Sequence, residues 1–102
     1  MSINRRSSQR HNLVVPGRLA VDGETREVVI ENLSLGGAQI GFDRRLSMGQ
    51  RVQLLFQVPG REDAIEVGAT VRWNTSDSIG LQFEGLRARD VWALTKFFES
   101  LD

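Results

Sequence analysis

Alternation of apolar and polar residues constrains this chain more than any other feature. Five apolar side chains of 64–73 stand at every second position: Ile65, Val67, Ala69, Val71 and Trp73. Successive side chains of a β-strand point to opposite faces, so this period is typical of a strand with one buried face. The pattern therefore predicts a strand whose buried face includes Trp73, while Arg72 points the other way.

Similar alternation or strand-like composition marks five more segments, which turn-forming residues separate. The further predicted strands are 13–22, 25–33, 38–42, 52–58 and 79–83. Pairs such as Asp22-Gly23 and Pro59-Gly60 stand between them and favour tight turns. Pro16 predicts an edge or a bulge early in the first strand, because proline cannot donate a backbone hydrogen bond. Six short strands with short connections predict an all-β fold, a six-stranded antiparallel β-barrel.

After Gly85 the apolar spacing becomes helical. Five residues of 87–101 recur three or four positions apart: Val91, Leu94, Thr95, Phe98 and Leu101. This spacing predicts one amphipathic C-terminal α-helix of about four turns. We expect its apolar face to pack on the end of the barrel, since a small domain has little other apolar surface to close its core. Docking on a partner protein is the alternative.

Length and composition indicate a single domain without bulk attraction to polyanions. The 102 residues include 13 basic and 13 acidic side chains, so the formal net charge is zero. This balance argues against DNA or RNA as a partner. No apolar run approaches the roughly 20 residues of a membrane-spanning helix. The first ten residues do not resemble a secretory signal, and cysteine is absent, so we expect a cytoplasmic protein without membrane insertion.

Known catalytic arrangements are missing from the sequence. His11 is the single histidine, and no cysteine is present to complete a metal site with it. Ser34 does not lie in a nucleophile elbow, and Gly36-Gly37 is followed by a strand and no lysine, unlike a P-loop. We therefore expect no catalysis, no metal and no cofactor.

Arginines are concentrated near the N-terminus, where Arg6-Ser7-Ser8-Gln9-Arg10 follows Arg5. Residues 1–12 are polar and are expected to form a flexible arm, with 13–102 as barrel and helix of one domain. A spacing of four places Arg6 and Arg10 on the same side, about 13 Å apart in an extended chain. Arginine makes paired hydrogen bonds to phosphate and to guanine O6 and N7. The arm therefore fits an anionic, phosphate-bearing ligand, with a solvated basic tail as the alternative.

A second polar segment, Asn32-Leu33-Ser34-Leu35-Gly36-Gly37, connects the second and third predicted strands. Asn32 and Ser34 are two positions apart and are expected to share a face from which they could contact a base edge. The glycines permit positive φ and close backbone approach, and exposed N–H groups there would form an anion-binding concavity. Alternatively, this is an ordinary loop in which Asn32 and Ser34 cap backbone groups.

Together the two segments resemble the motifs of the PilZ domain family, bacterial receptors for cyclic di-GMP. RxxxR stands here as Arg6 to Arg10, and [D/N]xSxxG stands as Asn32 to Gly37. The resemblance extends to Val71-Arg72-Trp73, to Gly80-Leu81-Gln82-Phe83 and to the closing helix, so it covers nearly the whole chain. It implies a PilZ-like split barrel of six antiparallel strands with a C-terminal helix.

The resemblance also implies residue roles. Arg6 and Arg10 would grip phosphates and guanine Hoogsteen edges. Asn32 and Ser34 would contact the opposite guanine, and Gly37, with Gly36, would allow close approach. Asn32 stands where the family often has Asp, so the acceptor is kept and the charge is lost.

Two further arginines complete the expected cyclic di-GMP site. Arg5 gives Arg-Arg-x-x-x-Arg, which in this family tends to accompany a stacked pair of ligands, so we expect two ligand molecules per chain. A third guanidinium offers another stacking face and offsets the doubled negative charge. Arg72 is expected to face outward, within reach of the ligand.

The expected function is that of a cyclic di-GMP receptor or adaptor. Ligand binding would order the arm and present a new surface to a downstream protein partner. A nucleotide-independent protein-interaction module of the same family is the first alternative, and a nucleic-acid-binding barrel is the second. Motility, polysaccharide synthesis and a regulatory protein are all open as the output.

Overall fold

Six strands and one helix make up the part of the chain that the structure describes. The computed structural model describes residues 10–62 and 64–101. The elements are β1 (His11–Val21), β2 (Glu24–Leu33), β3 (Gly37–Gly41), β4 (Arg51–Gln57), β5 (Ala64–Asn74), β6 (Ser78–Glu84) and α1 (Ala88–Ser100). These are the strands and the C-terminal helix that the residue periods predict. β1 begins at His11, two residues before the predicted start of the barrel.

The strands close into an antiparallel barrel in the order β1-β2-β3-β6-β5-β4. Pairing between β1 and β4 joins the ends of this series. The predicted fold class is therefore confirmed. Because β3 pairs with β6, the loop that follows β2 lies beside the β5–β6 hairpin, although some 40 residues separate them in the chain.

Alternate side chains from all six strands fill the barrel interior. Leu19, Ile30, Leu54 and Ile79 are fully buried there, and each such side chain contributes about 1.5–3 kcal/mol on leaving water. Leu94 and Phe98 of α1 are buried in the same core. The helix thus packs on its own barrel, as expected. Among the described residues, no helix is long and apolar enough to span a membrane.

Bulges interrupt this alternation at three places. The β1–β2 register shifts between Asn12 and Val15, just before Pro16, which confirms the bulge that the proline predicts. The β2–β3 register shifts between Ile30 and Asn32. The third shift lies between Val71 and Trp73 in β5.

The β5 bulge overturns the expectation that Trp73 is buried. Val71 is 1% exposed, but Trp73 is 37% exposed. An inserted residue moves every later side chain of a strand to the opposite face. Arg72 and Trp73 are therefore both exposed on the outside of the barrel.

Candidate functional site

Residues predicted from the two motifs meet at a cavity of about 340 Å³ on the outer surface of the barrel. β3, β5, β6 and the loop after β2 form its sides. Five of the predicted site residues line it: Arg10, Ser34, Gly36, Gly37 and Arg72. The sixth described one, Asn32, is hydrogen-bonded to Arg10. Arg5 and Arg6 lie outside the described residues.

Arg10 is held by the second motif through a direct hydrogen bond. Its Nη1 donates to Oδ1 of Asn32 over 2.8 Å. The other end of the Asn32 amide, Nδ2, donates to Oδ1 of Asn12 over 2.7 Å. Asn12 lies opposite Asn32 in the β1–β2 pair, so strand pairing sets this geometry. The amide of Asn32 thus uses both its acceptor and its donor to fix the end of the N-terminal segment beside the cavity.

Ser34 organises the loop rather than presenting a free hydroxyl. It is 3% exposed, and its Oγ accepts from the N–H groups of Gly36 and Gly37, both over 3.2 Å. The same hydroxyl donates to the Gly37 carbonyl over 3.3 Å, and the Ser34 N–H donates to that carbonyl over 2.9 Å. The expected concavity of exposed N–H groups is therefore wrong, because these N–H groups point to Ser34. The alternative, in which Ser34 caps backbone groups, describes the loop.

Gly37 and Gly80 are required by close packing and not by backbone conformation. A Cβ on Gly37 would lie 2.0 Å from the Leu81 carbonyl oxygen of β6. A Cβ on Gly80 would lie 2.2 Å from the indole of Trp73. Neither glycine has the positive φ that the sequence allowed for the Gly36-Gly37 pair. Because Gly37 has no side chain, β3 can pack closely on β6. Because Gly80 has none, the indole of Trp73 can lie directly on the β6 backbone.

Trp73 is the cavity residue that the sequence alternation missed. Its indole covers Gly80 and lines the cavity together with Arg72. One signal for this position was available in the sequence, because a glycine within a strand often marks a close approach by another group. The bulge that turns Trp73 outward has no comparable signal.

The cavity combines positive charge with an aromatic surface. Arg10 and Arg72 line it, and none of the described residues around it is acidic. Arginine pairs with phosphate through its planar fork, and an indole stacks on nucleobases. The site therefore suits a ligand that carries both a phosphate and a planar ring. Within residues 10–62 and 64–101, no group of three or more side chains is arranged to hold a metal ion.

Two larger cavities lie elsewhere on the barrel surface and differ in chemistry. The first, about 710 Å³, lies over β1, β2 and β4 and is lined by Arg18 and Glu27 among mostly apolar groups. The second, about 600 Å³, carries Arg26 against four carboxylates. Neither contains a residue of the two motifs. Size alone thus does not identify the anion site. Of these three cavities, that of 340 Å³ has arginines and no carboxylate among the described residues that line it.

A family model described as the PilZ domain matches residues 4–100, nearly the whole chain. A search of curated proteins found no match. Among solved structures, the Bacillus subtilis inhibitor of motility (MotI/DgrA) superposes with a TM-score of 0.80 at 24% identity. That alignment covers 97% of this chain and 52% of the other, so this chain spans about half the length of that protein.

Two further solved structures contain c-di-GMP. The PilZ domain of YcgR from Escherichia coli gives a TM-score of 0.74 at 17% identity, with 96% of this chain and 92% of that chain covered. PlzA of Borreliella burgdorferi gives 0.71 at 15% identity, with 93% and 41% covered. At these identities the likeness concerns the fold.

Proposed function

The chain belongs to the PilZ domain family, and on this basis we propose that it is a non-enzymatic receptor for cyclic di-GMP. The observation that carries the proposal is the hydrogen bond between Arg10 and Asn32, which joins the two motifs at one cavity. The E. coli and B. burgdorferi structures with bound c-di-GMP share this fold, which supports the choice of ligand.

Each side chain of the site has a part in this proposal. Arg10 and Arg6 bind phosphates and guanine Hoogsteen edges, for which a guanidinium fork is suited. Arg72, which also lines the cavity, contributes a further cation. Trp73 offers one indole face to a guanine, since its other face lies on Gly80. Ser34 and Gly37 act through the shape of the loop, and Asn32 holds Arg10 and contacts the ligand beside it.

The proposed signal is a change at the N-terminal segment. A ligand that contacts Arg6 and Arg10 as well as the cavity wall fixes the segment ahead of Arg10 against the barrel. The ordered segment and ligand together present a new surface to a downstream protein in the cytoplasm. The similarity to an inhibitor of motility makes motility the first output to assay.

Calorimetric titration with cyclic di-GMP tests the ligand. We expect Arg10→Ala and Arg6→Ala each to weaken binding about 10- to 100-fold, as for a lost hydrogen bond to a charged group. Arg18→Ala is the matched control, because Arg18 is an exposed arginine of β1 outside the cavity. Its affinity should equal that of the parent.

The same titration separates the alternatives. A parent protein that does not bind cyclic di-GMP would favour the nucleotide-independent interaction module. Binding that persists in both arginine variants would contradict the site. Tight binding of single-stranded DNA or RNA in place of the dinucleotide would favour the nucleic-acid-binding barrel.

Arg5 leads us to propose two ligand molecules per chain. A guanidinium next to the Arg6–Arg10 motif would offset part of the charge of a second dinucleotide and offer another stacking face. We expect a calorimetric stoichiometry of two for the parent and one for Arg5→Ala. A stoichiometry of one for the parent would refute the stacked pair while leaving the receptor function intact.

A further inference from the structure

His11 connects the candidate ligand site to the C-terminal helix. Arg10 and Asn12 are exposed on one side of the chain, where both contact Asn32. His11 between them is half-buried and points the opposite way, as alternation requires. Its imidazole stacks on the ring of Phe98 with centroids 4.3 Å apart and planes inclined by 16°. Three consecutive residues therefore hold this point of the chain from both sides.

Strand pairing holds the beginning of β1 from one side only. Its pairing with β4 starts only at Gly17, so the strand has one neighbour before that residue. The β1–β2 ladder is also interrupted between Asn12 and Val15. Ahead of the bulge, only the pairs of His11 with Leu33 and Asn12 with Asn32 remain. The His11–Phe98 stack therefore fixes the backbone next to Arg10, together with the hydrogen bonds to Asn32 and the packing of Leu13 on the core.

Phe98, the stacking partner of His11, is itself held in place by the core. It is 9% exposed and belongs to the hydrophobic core, near the C-terminal end of α1. Leu94, one turn earlier, is fully buried. The position of the His11 ring is therefore set by how α1 sits on the barrel, and the position of Arg10 follows from that of His11 through one peptide unit.

From these contacts, and resting on the proposed function, we propose that His11 is a positioning residue for cyclic di-GMP binding. The His11–Phe98 stack holds Arg10 over Asn32 and makes ligand affinity depend on the seating of α1. Coupling between two sites is reciprocal, so bound ligand stabilises the last turns of α1 in return. The ligand signal thereby reaches the C-terminal end of the domain as well as its N-terminal segment.

The strength of the His11–Phe98 contact limits how much its loss can change ligand affinity. Aromatic pairs of this geometry change an equilibrium constant by about 2- to 10-fold beyond simple area burial. A coupling cannot exceed the interaction through which it passes. Loss of the His11 ring should thus weaken the ligand much less than loss of Arg10.

The test is calorimetric titration of cyclic di-GMP into the full chain and four variants, with a fifth variant as control. His11→Ala should bind about 2- to 10-fold more weakly than the parent. His11→Phe keeps an aromatic ring and should restore affinity to within about twofold. Phe98→Leu keeps the helix packed and removes the stacking partner, so it should resemble His11→Ala. The double variant should be no weaker than either single one, because both remove the same contact.

Phe56→Leu is the matched control, since it makes the same change at a buried phenylalanine of β4 outside the stack, and it should bind cyclic di-GMP as the parent does. A second measurement, amide hydrogen exchange, should show slower exchange of residues 94–100 when ligand is added to the parent, and no such slowing in His11→Ala. Parent-like affinity of His11→Ala, or failure of His11→Phe to restore affinity, would overturn the positioning role. A parent protein that binds no cyclic di-GMP would instead refute the proposed function, and this inference with it.

Discussion

The loop Ser34–Gly37 and the wall formed by Arg72 and Trp73 face the same cavity but are built in opposite ways. In the loop, the hydroxyl of Ser34 accepts from the N–H groups of Gly36 and Gly37, and Ser34 and Gly37 are buried. On the wall, a guanidinium and an indole are exposed to solvent. One side of the cavity is thus complete without a ligand, whereas the other offers groups that a ligand can engage.

This difference separates residues that set the shape of the cavity from residues that set its affinity for the ligand. Changes in the loop should lower the stability of the fold, because they disturb hydrogen bonds or strand packing that exist in the free protein. Changes in the wall should lower ligand affinity and leave the fold largely intact.

Gly37→Ala should have the largest effect. The added Cβ would lie 2.0 Å from a backbone oxygen of β6, so β3 and β6 must separate. Overpacking of this kind costs about 3 kcal/mol in the free energy of unfolding. Gly68→Ala is the control, because a Cβ there meets nothing closer than 3.9 Å. Urea denaturation of both variants measures the difference, and equal midpoints would show that the glycine is not needed for strand packing.

Ser34→Ala should follow with about 2 kcal/mol of lost stability. The change removes the acceptor of two loop N–H groups, of which that of Gly37 is buried and that of Gly36 is exposed, and an unsatisfied buried group costs about 1–3 kcal/mol. Ser76→Ala, at an exposed position between β5 and β6, should change stability by less than about 0.5 kcal/mol. Thermal unfolding checks both. If Ser34→Ala keeps parent stability and loses only ligand binding, the hydroxyl belongs to the ligand and the contrast between loop and wall fails.

Trp73→Leu should act chiefly on binding. Leucine still covers Gly80, but the stacking surface is lost, and base stacking on an aromatic ring contributes about 1–3 kcal/mol. We expect cyclic di-GMP affinity to fall about tenfold. Trp92→Leu is the control, since Trp92 lies exposed on α1 outside the cavity. Equal affinities of the two variants would remove Trp73 from the site.

The barrel could be predicted because the residue patterns that specify its strands and helix each lie within one segment of the chain. Alternation in β4 and β5 and the change of period after Gly85 identify the strands and the helix without knowledge of pairing. The bulge before Pro16 was also foreseeable, because proline removes a donor at a fixed place. Each of these features depends on the residues of one segment.

The site was harder to predict because it depends on register between segments. The outward turn of Trp73 results from a bulge between Val71 and Trp73 that no local pattern marks. Likewise, the composition of the Asn32–Gly37 loop fits both exposed and internal N–H groups, and only the position of the Ser34 hydroxyl decides between them. Family resemblance brought Arg10 and Asn32 together where single-segment patterns could not.

The glycine beneath the indole has a consequence for how such chains diverge. Any larger residue at position 80 would displace the ring of Trp73, and loss of the ring would leave position 80 free to vary. The two positions should therefore change together among descendants of a common ancestor. Paired substitution at 73 and 80 would mark lineages that have relaxed selection on this cavity, even where both arginine motifs persist.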